Sequence, residues 1–191
     1  MSGASLHDLS RWAPEDAIYE KFFAAIEYGT TQDVKLCLEM HEINVNLLKG
    51  EFPNGINALD IAAGNGNVDM IELLLANGAN VDELDSSTDG GGTALHQAAY
   101  SSQILAIRLL INRGAKMDAY DAYEGLPLHA VLWHTDVIDS KHREVIKFLV
   151  ERGSDLFAVQ KSTGETVVSR LIQFLLYFTD CSIVHSSSEI R

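Results

Sequence analysis

The chain has 191 residues, 47% of them hydrophobic and 21% charged. This composition suits a globular domain with a sizeable core and excludes a wholly disordered, collagenous or low-complexity chain. With 14 Lys and Arg against 27 Asp and Glu, the formal charge is −13, which speaks against nucleic acid and anionic membrane as partners and favours a basic one.

Met1 to Glu20 carries Asp8, Arg11, Glu15 and Asp16 and no signal-peptide apolar stretch. Residues 1–18 are expected to be a partly flexible N-terminal segment. Asn57-Ala58-Leu59-Asp60-Ile61-Ala62-Ala63 then opens a helix of small residues. Gly66 marks a short turn, and Val68 to Leu75 forms a longer helix with Met70, Ile71, Leu74 and Leu75 on one stripe. Leu73-Leu74-Leu75-Ala76-Asn77-Gly78-Ala79 closes the unit, with Gly78 where a left-handed cap favours glycine.

Both markers return. The opening recurs as Thr93-Ala94-Leu95-His96-Gln97-Ala98-Ala99 and, more loosely, as Leu126-Pro127-Leu128-His129-Ala130-Val131-Leu132. The close recurs as Leu109-Leu110-Ile111-Asn112-Arg113-Gly114-Ala115 and as Phe148-Leu149-Val150-Glu151-Arg152-Gly153-Ser154. A shift of about one period also maps Phe22, Ala25, Gly29, Val34 and Leu36 onto Leu59, Ala62, Gly66, Ile71 and Leu73. Tyr19–Val45 is therefore expected to be a degenerate first unit with Phe22, Phe23 and Ile26 in place of smaller residues. Thr163 to Val168 opens a fifth unit that never reaches its Gly-Ala close. Arg170, Gln173 and Asp180 interrupt Val167–Val184, leaving it too short and polar to span a bilayer; it is expected to be the last buried helix.

These markers closely resemble those of the ankyrin repeat, with its Gly-x-Thr-Pro-Leu-His-x-Ala-Ala opening and Leu-Leu-Leu-x-x-Gly-Ala close. The resemblance runs from Tyr19 to Phe178 and implies an all-α fold, an ankyrin-repeat solenoid of stacked helix-turn-helix units with projecting hairpin loops. The expected organisation is one domain over 19–180. Its units are 19–50, 51–84, 85–120 and 121–158, with a cap at 159–180 and a flexible tail at 181–191. Terminal repeats cover an exposed core and are expected to depart from the pattern. Two insertions stand out. Leu84–Gly92 exceeds the family period of about 33 by about three residues, and Thr135–Arg143 lengthens a link between two helices by about six. Loops added to a rigid scaffold often carry specific contacts; neutral drift in length is the alternative.

Motifs for catalysis are absent. Cys37 and Cys181 build neither a disulfide framework nor a zinc site. Cys37 lies in an apolar run, where a thiol acts as a small hydrophobe and a thiolate is disfavoured. His96 and His129 occupy the Leu-His position, where the resemblance implies imidazole bonds to backbone within the stack. His129, His134 and His142 can be drawn as a metal cluster, but helical spacing fixes no carboxylate beside them. Gly90-Gly91-Gly92 lacks the Lys of a phosphate loop, and no Gly-x-Ser-x-Gly elbow occurs. Asp82 and Glu83 sit on a hairpin without an enclosing pocket to shift their pKa values. The chain is therefore expected not to be an enzyme and to hold no cofactor or metal.

For partner binding, the resemblance implies a concave face lined by first helices and hairpin tips. Register places Glu27 and Tyr28, Gly64 and Asn65, Tyr100 and Ser101, and Trp133 and His134 on that face. Tyr28, Tyr100 and Trp133 form a candidate aromatic stripe, since Tyr and Trp bury much area at low entropic cost; alternatively these rings pack on the next repeat. One hairpin carries Asp82, Glu83, Asp85 and Asp89, the next Asp118, Tyr120, Asp121, Tyr123 and Glu124. An acidic edge beside aromatic rings suits a basic protein surface, or forms a solvated rim that aids solubility.

The expected function is a non-catalytic protein-interaction module, a cytoplasmic monomer that inhibits a basic protein in the manner of an immunity protein or antidote. An adaptor, a scaffold or a host-directed effector is the alternative. An enzyme or ligand site around Trp133, His134 and His142 is a third.

Overall fold

A computed structural model describes residues 14–49, 55–85, 91–123, 125–133 and 137–175. Helices come in pairs: α1 (Pro14–Tyr28) with α2 (Thr31–Met40), α3 (Ala58–Gly64) with α4 (Val68–Ala76), α5 (Ala94–Tyr100) with α6 (Ile104–Asn112), and α7 (Pro127–Ala130) with α8 (Ser140–Glu151). Residues 167–175 form a last helix, α9. Two short antiparallel ladders precede α3 and α9: β1 (Leu48–Lys49) with β2 (Ile56–Asn57), and β3 (Val159–Gln160) with β4 (Glu165–Thr166).

The first helices α1, α3, α5 and α7 pack in one row and the second helices α2, α4, α6 and α8 in another. Alanine makes the first row possible. Ala58, Ala62, Ala63, Ala94, Ala98 and Ala99 are almost fully buried, and their short side chains let the helices approach closely. The second row supplies bulk, with Met70, Ile71, Leu74, Ile107, Leu110 and Leu149 inaccessible. In α1 the buried Phe22 and Phe23 meet edge to face, with ring centroids 5.5 Å apart.

Local chemistry sets the ends of the helices. Thr30 and Asp33 form a reciprocal capping box on α2: the Thr30 N–H donates to the Asp33 carboxylate at 2.8 Å, and the Asp33 N–H to the Thr30 hydroxyl at 3.3 Å. Gly78, Gly114 and Gly153 hold φ of +90°, +94° and +100° at the ends of α4, α6 and α8. The next N–H in each case reaches back to Leu74, Leu110 or Leu149 at 3.0 Å, the six-to-one bond of a Schellman close.

Side chains also tie hairpin to hairpin. The Asn46 amide donates to the Gly78 carbonyl at 3.1 Å, and its oxygen accepts from the Asn80 N–H at 2.8 Å. One unit later, the Asp82 carboxylate accepts from the Lys116 N–H at 2.9 Å.

Two expectations change. The insertion at Thr135–Arg143 is not all loop, because Ser140–Arg143 is wound into the first turn of α8. Asp139 caps that turn, accepting from the Lys141 and His142 N–H groups at 2.9 and 3.0 Å. The last helix is buried on one face only. Among the described residues Val167 is inaccessible, but Ile172 and Leu175 are at least half exposed; residues 176–184 of the expected helix lie outside the described residues.

Candidate functional site

The ends of α1, α3 and α5 converge on a groove of 400 Å3 on the face made by the first helices. Glu27, Tyr28, Gly64, Asn65, Gln97 and Ser101 line it. Thus the structure brings together Glu27, Tyr28, Asn65 and Ser101, which register alone placed on one face. Tyr28 is 86% exposed, and Glu27 is held by an ion pair with Lys49. Gly64 keeps the groove floor low: a Cβ there would have only the Ser101 hydroxyl within 4 Å, at 3.7 Å. Tyr100 is half exposed beside the groove but does not line it. Trp133 stands apart from both tyrosines and stacks on Tyr123 at 5.0 Å and 18°. The aromatic stripe is therefore two exposed tyrosines and a separate stacked pair.

The hairpin carboxylates divide into two kinds. Asp82 holds the next hairpin and lies 3.7 Å from the Lys116 ammonium. Asp121 accepts from the Tyr123 and Gly125 N–H groups at 2.9 and 2.7 Å, and partial burial raises its pKa. Asp85 is buried and accepts from the Gly92 N–H at 2.8 Å. Its charge thus shapes the turn and does not reach the rim where the acidic pattern placed it. By contrast Glu83 is partly exposed, with its carboxylate 2.7 Å from the Asn80 amide, and Asp118 is exposed. Tyr120 is half exposed, with the Lys161 ammonium 5.6 Å from its ring. Asp89, Glu124 and His134 lie outside the described residues.

At the Leu-His position, two imidazoles serve as struts. His96 Nδ1 accepts from the Thr93 N–H at 3.1 Å, and Nε2 donates to the Gly125 carbonyl of the next unit at 3.3 Å. His129 repeats this with the Leu126 N–H at 3.1 Å and the Ala158 carbonyl at 3.0 Å. Both rings are satisfied as neutral imidazoles, and burial lowers their pKa values, that of His96 to about 4.

In the preceding unit Asp60 takes the same place. It is 1% exposed, with its carboxyl against that of Asp85 and beside the Asn57 backbone. Desolvation, and next the charge of Asp85, push its pKa well above the usual carboxylate range. The spacing analysis missed this buried carboxyl; its signal was an acid at the strut position.

A second cavity, of 160 Å3, lies between α7 and the β3–β4 hairpin, with His129, Leu132, Trp133, Gln160, Val167 and Arg170 among its walls. Both His129 nitrogens are already bonded to backbone, and Arg170 pairs with Glu165 at 3.1 Å. His142 pairs with its own cap, Asp139, at 2.6 Å. Among the described residues no three His, Cys, Asp or Glu side chains are grouped to hold a metal, and no helix is long and apolar enough to cross a membrane.

Helix pairs, glycine closes and histidine struts recur at one register, and the family model for ankyrin repeats in three copies matches residues 22–121, just over half of the chain. The chain belongs to the ankyrin-repeat family. No curated protein matches it. The matched ankyrin repeats run from α1 through α6, and α7 and α8 continue the helix-turn-helix geometry beyond them. Ankyrin repeats indicate a protein–protein interaction module, and the fold described above is that of such repeats.

Proposed function

We propose that this ankyrin array is a non-catalytic binder of a basic protein and blocks that protein in the manner of an immunity protein. The observation that carries the reading is the groove, where Tyr28 is 86% exposed on a chain of net charge −13. An exposed tyrosine ring suits an Arg or Lys side chain by cation–π contact. Glu83 and Asp118 add negative charge on the hairpins, and among the described residues their carboxylates hold no neighbouring hairpin in place. Long-range attraction of this kind speeds encounter and weakens with salt.

The test is affinity capture from native lysate at low and moderate salt, read by mass spectrometry and followed by titration of the purified pair. One basic partner at 1:1 stoichiometry, lost with rising salt, is expected. Glu83→Lys with Asp118→Lys should weaken it by about tenfold or more, equal to about 1.4 kcal/mol. Unchanged affinity in that variant sinks the acidic-surface reading, and several unrelated partners would make the chain an adaptor instead. Tyr28→Ala should weaken the same partner without lowering the melting temperature, because the ring is exposed.

A further inference from the structure

Successive hairpins align as Asn44–Lys49, Asn80–Asp85, Lys116–Asp121 and Asp155–Gln160. The second residue of each, Val45, Val81, Met117 or Leu156, packs against the core. The fifth residue is apolar or aromatic as well: Leu48, Leu84, Tyr120 and Val159. Yet Leu84, Tyr120 and Val159 are 55%, 52% and 52% exposed. A single exposed apolar side chain is ordinary. The same register position exposed and apolar on three consecutive hairpins makes a ridge along the stack. Phe157, 71% exposed and two residues before Val159, broadens its end.

Charge beside the ridge selects the occupant. Glu83 adjoins Leu84, and Asp118 stands two residues before Tyr120. The chain's own Lys161 ammonium lies 5.6 Å from the Tyr120 ring, so an incoming cation takes its place there.

We infer that the ridge docks an extended, basic segment of the partner protein, in polyproline II conformation with an apolar side chain at every third residue. The inference rests on the protein-binding role proposed above. Packed helices sit about 8–10 Å apart, so successive hairpins repeat at about that interval. A polyproline II segment has three residues per turn and rises about 3.1 Å per residue, so every third side chain returns to one face after about 9 Å. A β-strand brings side chains back to one face every second residue, about 6.6 Å, which falls out of step with the hairpins. An α-helix matches only every seventh residue, about 10.5 Å, and would need about fifteen residues to reach all three hairpins.

The probes are labelled twelve-residue peptides read by fluorescence anisotropy: (Leu-Pro-Lys)4, the four-spaced (Leu-Pro-Pro-Lys)3, and (Leu-Pro-Glu)4. The three-spaced lysine peptide is expected to bind at least about tenfold tighter than either other peptide. The variant Leu84→Ser, Tyr120→Ser, Val159→Ser should lose about tenfold or more while keeping its melting temperature, and Tyr120→Phe should bind like the wild type. No binding by any peptide, or a triple-serine variant that binds like the wild type, overturns the ridge. If both lysine peptides bind equally and Glu83→Lys with Asp118→Lys weakens both, the ridge is overturned while the acidic-surface reading survives. If the glutamate peptide binds as tightly as the three-spaced lysine peptide, both readings fall.

Discussion

Ser102 offers a test of how far repeat register predicts energetics. It sits in the α5–α6 turn at φ +53°, the only non-glycine residue with positive φ among the described residues. The equivalent α3–α4 turn has Gly66 at +69°, and both turns close with the same bonds: Asn67 N–H to Ala62 at 3.0 Å and Gln103 N–H to Ala98 at 2.8 Å. A side chain in this left-handed conformation costs about 1–2 kcal/mol. The Ser102 hydroxyl is also buried without a partner among the described residues, which costs about 1 kcal/mol or more. Against this, glycine gives the unfolded chain extra freedom worth about 0.4–1 kcal/mol. Ser102→Gly should therefore stabilise the protein by about 1–2 kcal/mol. For a chain of this size that raises the melting temperature by about 2–8 °C and moves the urea midpoint up at unchanged slope. Ser102→Ala keeps the Cβ and removes only the hydroxyl, so it should recover less. A Ser102→Gly protein that unfolds at the same urea concentration as the wild type, or earlier, refutes the argument.

Asp60→Asn should stabilise the fold at neutral pH. The folded-state pKa of this carboxyl is raised, so its contribution is most favourable at low pH and is lost as pH rises through the folded value. Thermal melts should show a larger gain at pH 7 than at pH 4; an equal gain at both would count against a buried carboxyl. His96 works in the opposite direction, because its pKa falls from 6.5 to about 4 on folding. The unfolded chain takes up the proton first, so stability drops by about 3 kcal/mol as pH falls from about 6.5 to 4. Urea melts across that range should be flatter in His96→Asn; an unaltered slope would assign it to other groups. Asp139→Ala removes the cap of α8 and should lower the urea midpoint. No loss there would mean that packing alone holds Ser140–Arg143 helical.

The helices were legible because their signals are short-range. Met70, Ile71 and Leu74 form one stripe on α4, and all three are buried. The glycines after the second helices were readable for the same reason: an end cap needs only the last turn and the residue beyond it. Even the divergent first unit could be placed by register, and Phe22, Phe23 and Ile26 are in the core. The link before α8 was harder. Its length read as loop, but the Asp139 cap turned its second half into helix.

The repeating helix pair and its glycine closes follow from residues within a few positions of each site. Which polar groups are buried and which apolar ones are exposed depends on the units stacked alongside. Asp60 and His96 share one repeat position, yet His96 meets a carbonyl from the next hairpin and Asp60 meets the carboxyl of Asp85. Asp82, Asp85 and Asp121 looked like one acidic edge with Glu83 and Asp118, but backbone N–H groups of the stack engage the first three. Leu84 and Val159 are apolar, and with Tyr120 they are about half exposed on their hairpins. Backbone conformation follows from neighbours along the chain; burial follows from the unit stacked alongside, 34 residues away in the bonds between hairpins.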